Sequence, residues 1–230
     1  MCFDAVLPDG TETKVRILST VDRILIGECF FEKLPDDAGV LPQKGVFVPP
    51  IALFQGLPRG NKLDLIVRQA AEGGVSLVQP FESEYSTARL KSSAEKQKRL
   101  ERIITEARQQ SGSVTATEVN PACDFNGLLE YWELLKKKYK NPLGIVLHQE
   151  PLEKGAFHEY LGSCPDFVAL AVGPEGGFSP GETARFLAGG FKPLVIGNTV
   201  LRTETAALYG TAVIRILLLE RETWTPSLKG

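Results

Sequence analysis

Residues 171–186, AVGPEGGFSPGETARF, place a glycine-rich loop between a strand and a helix. The residues before the loop, 167–172, are all apolar, which is typical of a central strand covered on both faces. After the loop, Ser179 and Glu182 have the spacing of a capping box, with Pro180 at the first helical position. The order strand, glycine loop, helix predicts a ligand site, because such loops line a crevice at the carboxyl ends of parallel strands.

The loop lacks the spacing of the known phosphate-binding motifs. Neither G-x-G-x-x-G nor G-x-x-x-x-G-K-[ST] occurs in the chain, and both motifs hold phosphate through their glycine spacing. The carboxylate of Glu175 would also repel a phosphate. A neutral or cationic ligand is therefore favoured over a phosphate. The alternative is that Gly176 or Gly177 only supplies the positive φ of a tight turn.

Composition places the chain among globular proteins. It has 230 residues, 43% hydrophobic and 23% charged, with no apolar run long enough to span a bilayer, so we expect one good core, a small second one and no membrane partner. The start, MCFD, lacks the pattern of a signal peptide, which favours a cytoplasmic protein. The four cysteines and two histidines have no metal-ligand spacing; we expect reduced thiols and no metal.

The pattern changes near residue 45. Residues 1–44 contain two strand-like runs, 13–18 and 23–31, and a turn-rich stretch, which predicts a small β module with a linker. Residues 45–230 alternate strands and helices, which predicts an α/β domain with a parallel sheet. The predicted strands are 46–48, 75–78, 143–147, 167–172 and 194–196. The predicted helices are 61–72, 92–112, 128–139, one after Ser179, and 206–219.

The helix at 92–112 begins with a second capping box, Ser92 with Glu95. Its buried stripe is predicted to be Leu100, Ile103, Ile104 and Ala107. The opposite face carries three candidate RNA-binding residues, Lys98, Arg99 and Arg102, which could reach phosphates. Because glutamates share this helix, a solvated charged face is the alternative.

The helix at 206–219 is apolar nearly all round. Such a helix must be buried by more than one neighbour, and a subunit interface would serve. The net charge of −2 argues against a protein coated in positive charge but leaves room for a local basic face.

Three strand ends are predicted to converge. HQE follows Leu147, GPEGG follows Val172, and GNTVLRTETAAL follows Ile196. In a parallel sheet all three segments open on the same edge, where they would form one pocket lined mostly by backbone.

VGPEGGFSPGE followed by IGNTVLRTETAA resembles the paired signature of the bacterial small-subunit ribosomal RNA uridine N3-methyltransferases, in the SPOUT superfamily. RGNKLDLIVRQAAEGGVSLVQPFESE and RLERIITEARQQSG resemble earlier blocks of that family, so the likeness covers roughly residues 44–220. Family members commonly carry an arginine at the positions of Thr199 and Ser113.

The resemblance implies a SPOUT-type α/β sheet with a C-terminal trefoil knot over residues 45–230. It also implies that residues 1–44 are a short, incomplete PUA-like β module, and that the protein is a homodimer. The implied substrates are S-adenosylmethionine and N3 of a uridine in 16S rRNA or the small ribosomal subunit. Carried over to this chain, the cofactor-binding residues are Leu147, His148, Val172, Gly173, Pro174, Glu175, Gly176, Gly177, Ile196, Gly197, Val200 and Leu201.

The implied catalytic residues are Arg202 and Glu204, both in LRTETA. Uracil N3 becomes a nucleophile only after it loses its proton, so a cation such as Arg202 could stabilise the anion. Glu204 could be a base, a helix cap or a dimer contact. Two alternatives stay open within RNA binding, namely a non-catalytic ribosome-assembly factor and a methyltransferase of another RNA site. An α/β oxidoreductase is disfavoured, because the dinucleotide fingerprint is absent.

Overall fold

The structure is a computed structural model that describes residues 48–89, 93–150 and 157–220, together with the backbone of three strands before them. These strands are β1 (Cys2–Val6), β2 (Glu12–Val21) and β3 (Ile24–Phe30), and they form an antiparallel sheet in that order. Strands β2 and β3 contain most of the two predicted runs, whereas β1 was not predicted. The predicted linker after residue 30 lies outside the described residues.

A parallel sheet of seven strands forms the centre of the remaining chain, with the order β10-β8-β9-β4-β5-β6 and β7 also paired to β5. All of its pairings are parallel, which confirms the predicted α/β class. The strands are β4 (Ile51–Gly56), β5 (Leu77–Glu82), β6 (Glu118–Val119), β7 (Cys123–Asp124), β8 (Pro142–Leu147), β9 (Phe167–Val172) and β10 (Phe191–Leu194).

Helices cover both faces of this sheet. They are α1 (Lys62–Glu72), α2 (Ala94–Ser111), α3 (Phe125–Lys138), α4 (Phe157–Gly162), α5 (Pro180–Ala188) and α6 (Thr203–Glu220). Alternate residues of β9 belong to different cores: Val168 and Leu170 pack with α1, α2 and α6, whereas Ala169 and Ala171 pack with α3 and α5. This alternation is why the strand reads as a continuous apolar run.

The central strand β4 was missed, and the strand predicted at 46–48 is wrong at Val48, which has no strand conformation. Residues 46 and 47 lie outside the described residues. Strand β4 begins directly after Pro49 and Pro50 and is buried at all six positions. Taken alone, the two prolines and the final Gln55–Gly56 pair are typical of a turn. The segment is a strand because it pairs with both β5 and β9.

Two other strands are displaced from their predictions. Strand β5 runs to Glu82, although Pro80 lies inside it and proline is normally read as a strand breaker. Strand β10 ends at Leu194, so Ile196 lies in the loop that follows rather than in the strand. The beginning of β10 was not predicted, because Lys192 and Pro193 interrupt its apolar pattern.

Most helix signals are confirmed, with two corrections at helix ends. The stripe of α2 is the predicted one, and Gly112 ends the helix at φ 70°. The N-cap of α2 is Ser93, whose hydroxyl accepts from the Lys96 amide, rather than the predicted Ser92, which lies outside the described residues. Helix α5 has the predicted capping box of Ser179 and Glu182. Tyr139 follows α3 in an extended conformation.

Candidate functional site

The three predicted loops meet at one cleft. Strands β10, β8 and β9 are neighbours in the sheet, so the segments that follow them open side by side at its carboxyl edge. The segments line a cleft that is open to solvent on one side. Its lining is Leu147, His148, Gln149, Val172, Gly173, Pro174, Glu175, Gly177, Phe178, Ile196, Gly197, Asn198, Thr199, Val200, Leu201, Thr203 and Ala206.

The lining includes every predicted cofactor-binding residue except Gly176. A Cβ placed on Gly176 would lie 2.8 Å from the Cβ of Tyr85, so this residue packs against the loop after β5 rather than facing the cleft. The structure therefore separates Gly176 from its neighbours Glu175 and Gly177. The first turn of α6 adds Thr203 and Ala206, which were not among the predicted cofactor-binding residues, to the lining, because α6 begins at Thr203 rather than at the predicted residue 206.

The glycine loop is also a tight turn. The Gly177 amide donates to the Pro174 carbonyl at 2.9 Å, and Gly177 has a φ of 69°, which favours glycine. A Cβ on Gly173 would lie 3.0 Å from the Gly177 backbone. The tight turn and the cleft lining thus belong to the same segment, so the turn does not exclude the predicted ligand site.

Buried contacts from β4 hold this loop from behind. Gln55 Nε2 donates to Thr203 Oγ1 at 2.9 Å, and Thr203 Oγ1 donates to the Gly173 carbonyl at 2.7 Å. Gly56 faces Pro174 so closely that a Cβ there would lie 2.6 Å from Pro174 Cδ. Neither Gln55 nor Gly56 carries a local signal for this role, because their partners are far along the chain.

A charged cluster borders the cleft. Lys62 Nζ lies 2.7 Å from Glu175 Oε1 and 3.5 Å from Glu204 Oε2, and the Arg59 amide also donates to the Glu175 carboxylate. Burial raises the pKa of Glu175, but the hydrogen bonds from Lys62 and from backbone amides, together with the charge of Lys62, jointly outweigh burial and hold the pKa below its usual value. The hydrogen bond with Glu175 raises the pKa of Lys62. Glu175 is therefore paired with Lys62 within the protein, which weakens the prediction that its charge favours a cationic ligand.

The two predicted catalytic residues lie in different surroundings. Arg202 is exposed and its carbonyl accepts from the Ala206 amide, but it is not part of the lining. Glu204 is largely buried, with its side chain 15% exposed, beside Lys62. Both precede or begin α6, next to the lining residue Thr203, so both stand at the border of the cleft.

His148 combines a backbone role with a place in the lining. Its amide donates to the Leu194 carbonyl at 2.9 Å, which joins the ends of β8 and β10. The imidazole Nδ1 lies 2.9 Å from the Glu150 carbonyl oxygen and 3.1 Å from the Glu150 amide nitrogen. The ring is thus held beside the cleft by the residues that follow it.

The three candidate RNA-binding residues lie on the exposed side of α2. Arg99 forms an ion pair with Asp64, and Arg102 pairs with Glu106 at 3.5 Å. Exposed pairs of this kind contribute little to stability and exchange readily. The geometry agrees with a solvated charged face and leaves RNA binding by this helix as a prediction.

Within the described residues, no group of three or more histidine, cysteine, aspartate or glutamate side chains could hold a metal ion. In that same part of the chain, no helix is long and apolar enough to cross a membrane. Cys123 and Cys164 are free thiols, and burial raises the pKa of Cys123 to about 11.

With the fold and cleft established, the chain can be compared with known proteins. The family model of the RNA methyltransferase domain matches residues 48–215. The ribosomal RNA small subunit methyltransferase E of Synechocystis sp. is 32% identical over 74% of this chain, a match that spans 54% of that relative's length. Its Bacillus subtilis counterpart is 28% identical over 90% of this chain and 78% of its own length.

A solved structure has the same fold. The crystal structure of a ribosomal RNA small subunit methyltransferase E from Neisseria gonorrhoeae, bound to S-adenosyl methionine, superposes with a TM-score of 0.75. It covers 94% of this chain and 83% of its own, at 23% identity. The parallel sheet with helices on both faces thus defines an α/β protein that shares this fold. The chain belongs to the RNA methyltransferase domain family.

Proposed function

We propose that this protein transfers a methyl group from S-adenosylmethionine to ribosomal RNA. The observation that carries the proposal is the cleft formed by the segments after β8, β9 and β10, the last two of which contribute glycines to the lining. Membership in the RNA methyltransferase domain family and two relatives named as small-subunit ribosomal RNA methyltransferases support it. The Neisseria gonorrhoeae protein, which shares the fold, carries S-adenosyl methionine in its crystal structure.

The cleft suits this cofactor chemically. Val172, Ile196 and Leu201 offer apolar surface, and the backbone of the glycine segments offers hydrogen-bonding groups at close approach. Such a mixture is typical of small-molecule sites, which are mostly apolar with a few placed polar groups. When bound, S-adenosylmethionine supplies a sulfonium methyl group as the electrophile. The protein's task is then to align the acceptor with that methyl group.

The proposed acceptor is N3 of a uridine in 16S rRNA. N3 carries a proton and lies on the Watson–Crick edge, so the base must be unpaired or flipped before it reacts. Loss of that proton leaves an anion, which a nearby cation stabilises. Arg202 is the proposed cation, because its exposed side chain lies next to the lining residues Leu201 and Thr203. It could equally hold an adjacent phosphate.

We propose that Glu204 either acts directly on the reacting base or helps to position it. Its carboxylate lies between α6 and Lys62, at 3.5 Å from Lys62 Nζ. Lys62 pairs with both Glu204 and Glu175. This shared ion pair would keep the Glu204 carboxylate charged and fixed in place at the border of the cleft. Proton abstraction by Glu204 would require the carboxylate to leave this pair and reach N3.

We further propose a homodimer, in which α6 contributes to the interface. One side of α6 leaves Leu208, Tyr209, Ile216 and Leu219 exposed, each by more than a third. A row of large apolar side chains along one helix is typical of an interaction surface. The trefoil knot, a PUA-like module over residues 1–44 and action on cytoplasmic ribosomal subunits are proposals that rest on the family resemblance.

The proposed function is tested by calorimetry and by methyl transfer. The protein should bind S-adenosylmethionine and S-adenosylhomocysteine and should not bind NAD. It should methylate small-subunit rRNA so that reverse transcription stops at one uridine, because an N3 methyl group blocks pairing. RNA binding without methyl transfer would instead favour an assembly factor, and a stop elsewhere would indicate another RNA site.

The Arg202→Ala variant distinguishes a role of Arg202 toward the methyl acceptor from a role in cofactor binding. Loss of a charge-assisted contact to the transition state costs on the order of 2–4 kcal/mol, so kcat should fall sharply while cofactor affinity stays unchanged. Isothermal titration and single-turnover methylation of the same variant give both numbers. Equal losses in affinity and rate would place Arg202 among the cofactor ligands instead.

A further inference from the structure

Two polar side chains outside the predicted site form a buried connection to the glycine loop. Gln55 is fully buried near the end of β4, and Thr203 is 4% exposed at the start of α6. Their hydrogen bonds run from Gln55 Nε2 to Thr203 Oγ1 and from Thr203 Oγ1 to the Gly173 carbonyl. The connection joins the central strand, α6 and the first residue of the loop.

The chemistry of the partners sets the direction of both hydrogen bonds. The Gly173 carbonyl can only accept, so it takes the single proton of the Thr203 hydroxyl. Thr203 therefore accepts from Gln55, and the atom of Gln55 that faces it must be the amide nitrogen. The Gly56 carbonyl, 2.9 Å from the same nitrogen, requires the same assignment because it too can only accept.

The amide of Gln55 is costly in its position. Its Oε1 is buried and has no hydrogen-bond partner among the described residues. A buried polar atom without a partner destabilises a fold, and an apolar side chain would pack a central strand without that cost. The benefit of the amide therefore lies in the hydrogen bond that its nitrogen donates to Thr203.

We propose that Gln55 and Thr203 are positioning residues that fix the backbone of the 173–177 loop for cofactor binding. Gly173 and Pro174 line the cleft, so a shift of the Gly173 carbonyl moves the surface that a ligand contacts. Thr203 lines the cleft as well and ties that surface to α6. This inference rests on the proposed function, since it assigns the loop to the cofactor.

The test compares three threonine variants. Thr203→Val keeps the shape of the side chain but removes the hydroxyl, and Thr203→Ser keeps the hydroxyl. Thr211→Val is the matched control, because Thr211 is also buried on α6 and also donates a 2.7 Å hydrogen bond, but to the Ala207 carbonyl of its own helix. Each variant is titrated with S-adenosylhomocysteine below its unfolding temperature, and thermal unfolding is recorded in parallel.

We expect Thr203→Val to weaken affinity about tenfold or more, which corresponds to about 1.4 kcal/mol. Thr203→Ser and Thr211→Val should stay within about twofold of the wild type. Wild-type affinity in Thr203→Val would overturn the inference, as would equal losses in Thr203→Val and Thr211→Val, which would indicate general destabilisation. A loss in Thr203→Ser as large as in Thr203→Val would show that the hydroxyl is not responsible.

A second readout needs no ligand. Hydrogen exchange of the amides in 173–177 should be faster in Thr203→Val and in Gln55→Met than in the wild type, while Thr211→Val leaves it unchanged. Unchanged exchange in both variants would overturn the inference, and so would their failure to fold, which would show that the hydrogen bonds support the whole domain. If wild-type protein binds no S-adenosylhomocysteine while exchange responds as expected, the proposed function fails and the positioning of the loop stands.

Discussion

Gly56→Ala should disturb the cleft from behind, although Gly56 itself is not part of the lining. Gly56 is the last residue of β4, and a Cβ there would lie 2.6 Å from Pro174 Cδ, 2.8 Å from Pro174 N and 3.2 Å from Gly173 C. Ordinary contacts between such atoms are about 3.5–4.0 Å, so the nearest pair is too close by roughly 1 Å. The neighbours are a proline ring and backbone, neither of which can rotate away. The loop itself must move.

The cost can appear in two places. Overpacking of this kind costs about 1–3 kcal/mol, which corresponds to roughly a 5- to 150-fold change in an equilibrium constant. If the loop shifts, cofactor affinity falls by a factor in that range. If the loop stays, the strain remains in the folded protein and lowers the unfolding temperature by about 2–4 °C for each kcal/mol.

Calorimetric titration with S-adenosylhomocysteine and thermal unfolding measure the two effects in one preparation. Gly162→Ala is the control, because Gly162 is exposed at the end of α4 and a Cβ there would meet nothing within 4 Å. We expect the control to behave as the wild type in both assays. Wild-type affinity together with an unchanged unfolding temperature in Gly56→Ala would refute the reasoning, since the close contact would then cost nothing.

Two further predictions concern the charged cluster and α6. Lys62→Met should destabilise the protein at neutral pH, because the lowered pKa of Glu175 means that the pair stabilises the fold above the ordinary carboxyl pKa. The difference from the wild type in thermal unfolding should shrink as pH falls below the ordinary carboxyl pKa and vanish once pH has passed the lowered pKa of Glu175, and a difference that persists below that pKa would contradict the ion-pair origin. Ile216→Glu, at a side chain 52% exposed on α6, should convert a dimer into a monomer in light scattering. A wild-type monomer at micromolar concentration would remove the dimer proposal.

Local signals predicted the glycine loop and its flanking elements well. Strand β9 coincides with the predicted apolar run, and helix α5 begins where the capping box placed its start, because both signals act over a few residues. The cleft followed from one additional rule, that parallel strands open at the same edge. The positions of His148, Gly173 and Leu201 after the predicted strand ends were therefore sufficient to predict that they line the cleft.

Contacts between distant residues could not be predicted in the same way. Gln55 and Thr203 are 148 positions apart, and Lys62 and Glu175 are 113 apart. Strand β4 illustrates the same limit, because its place in the sheet depends on neighbours on both sides rather than on its own short apolar run. Gly176 was placed in the cleft because residues on both sides of it belong there, but backbone geometry turns it toward Tyr85.

Helix α6 connects the proposed site with the proposed interface over a short distance. Thr203 and Ala206 line the cleft, and the first large exposed apolar residue, Leu208, follows only two residues after Ala206. A rise of about 1.5 Å per residue puts Ala206 and Leu208 within one helical turn, although residues two apart face different sides of a helix. A partner that covers Leu208 would therefore contact α6 close to its first turn and limit how that turn can move. Loss of activity after a substitution in this helix consequently cannot be assigned to catalysis until cofactor affinity and self-association have been measured on the same variant.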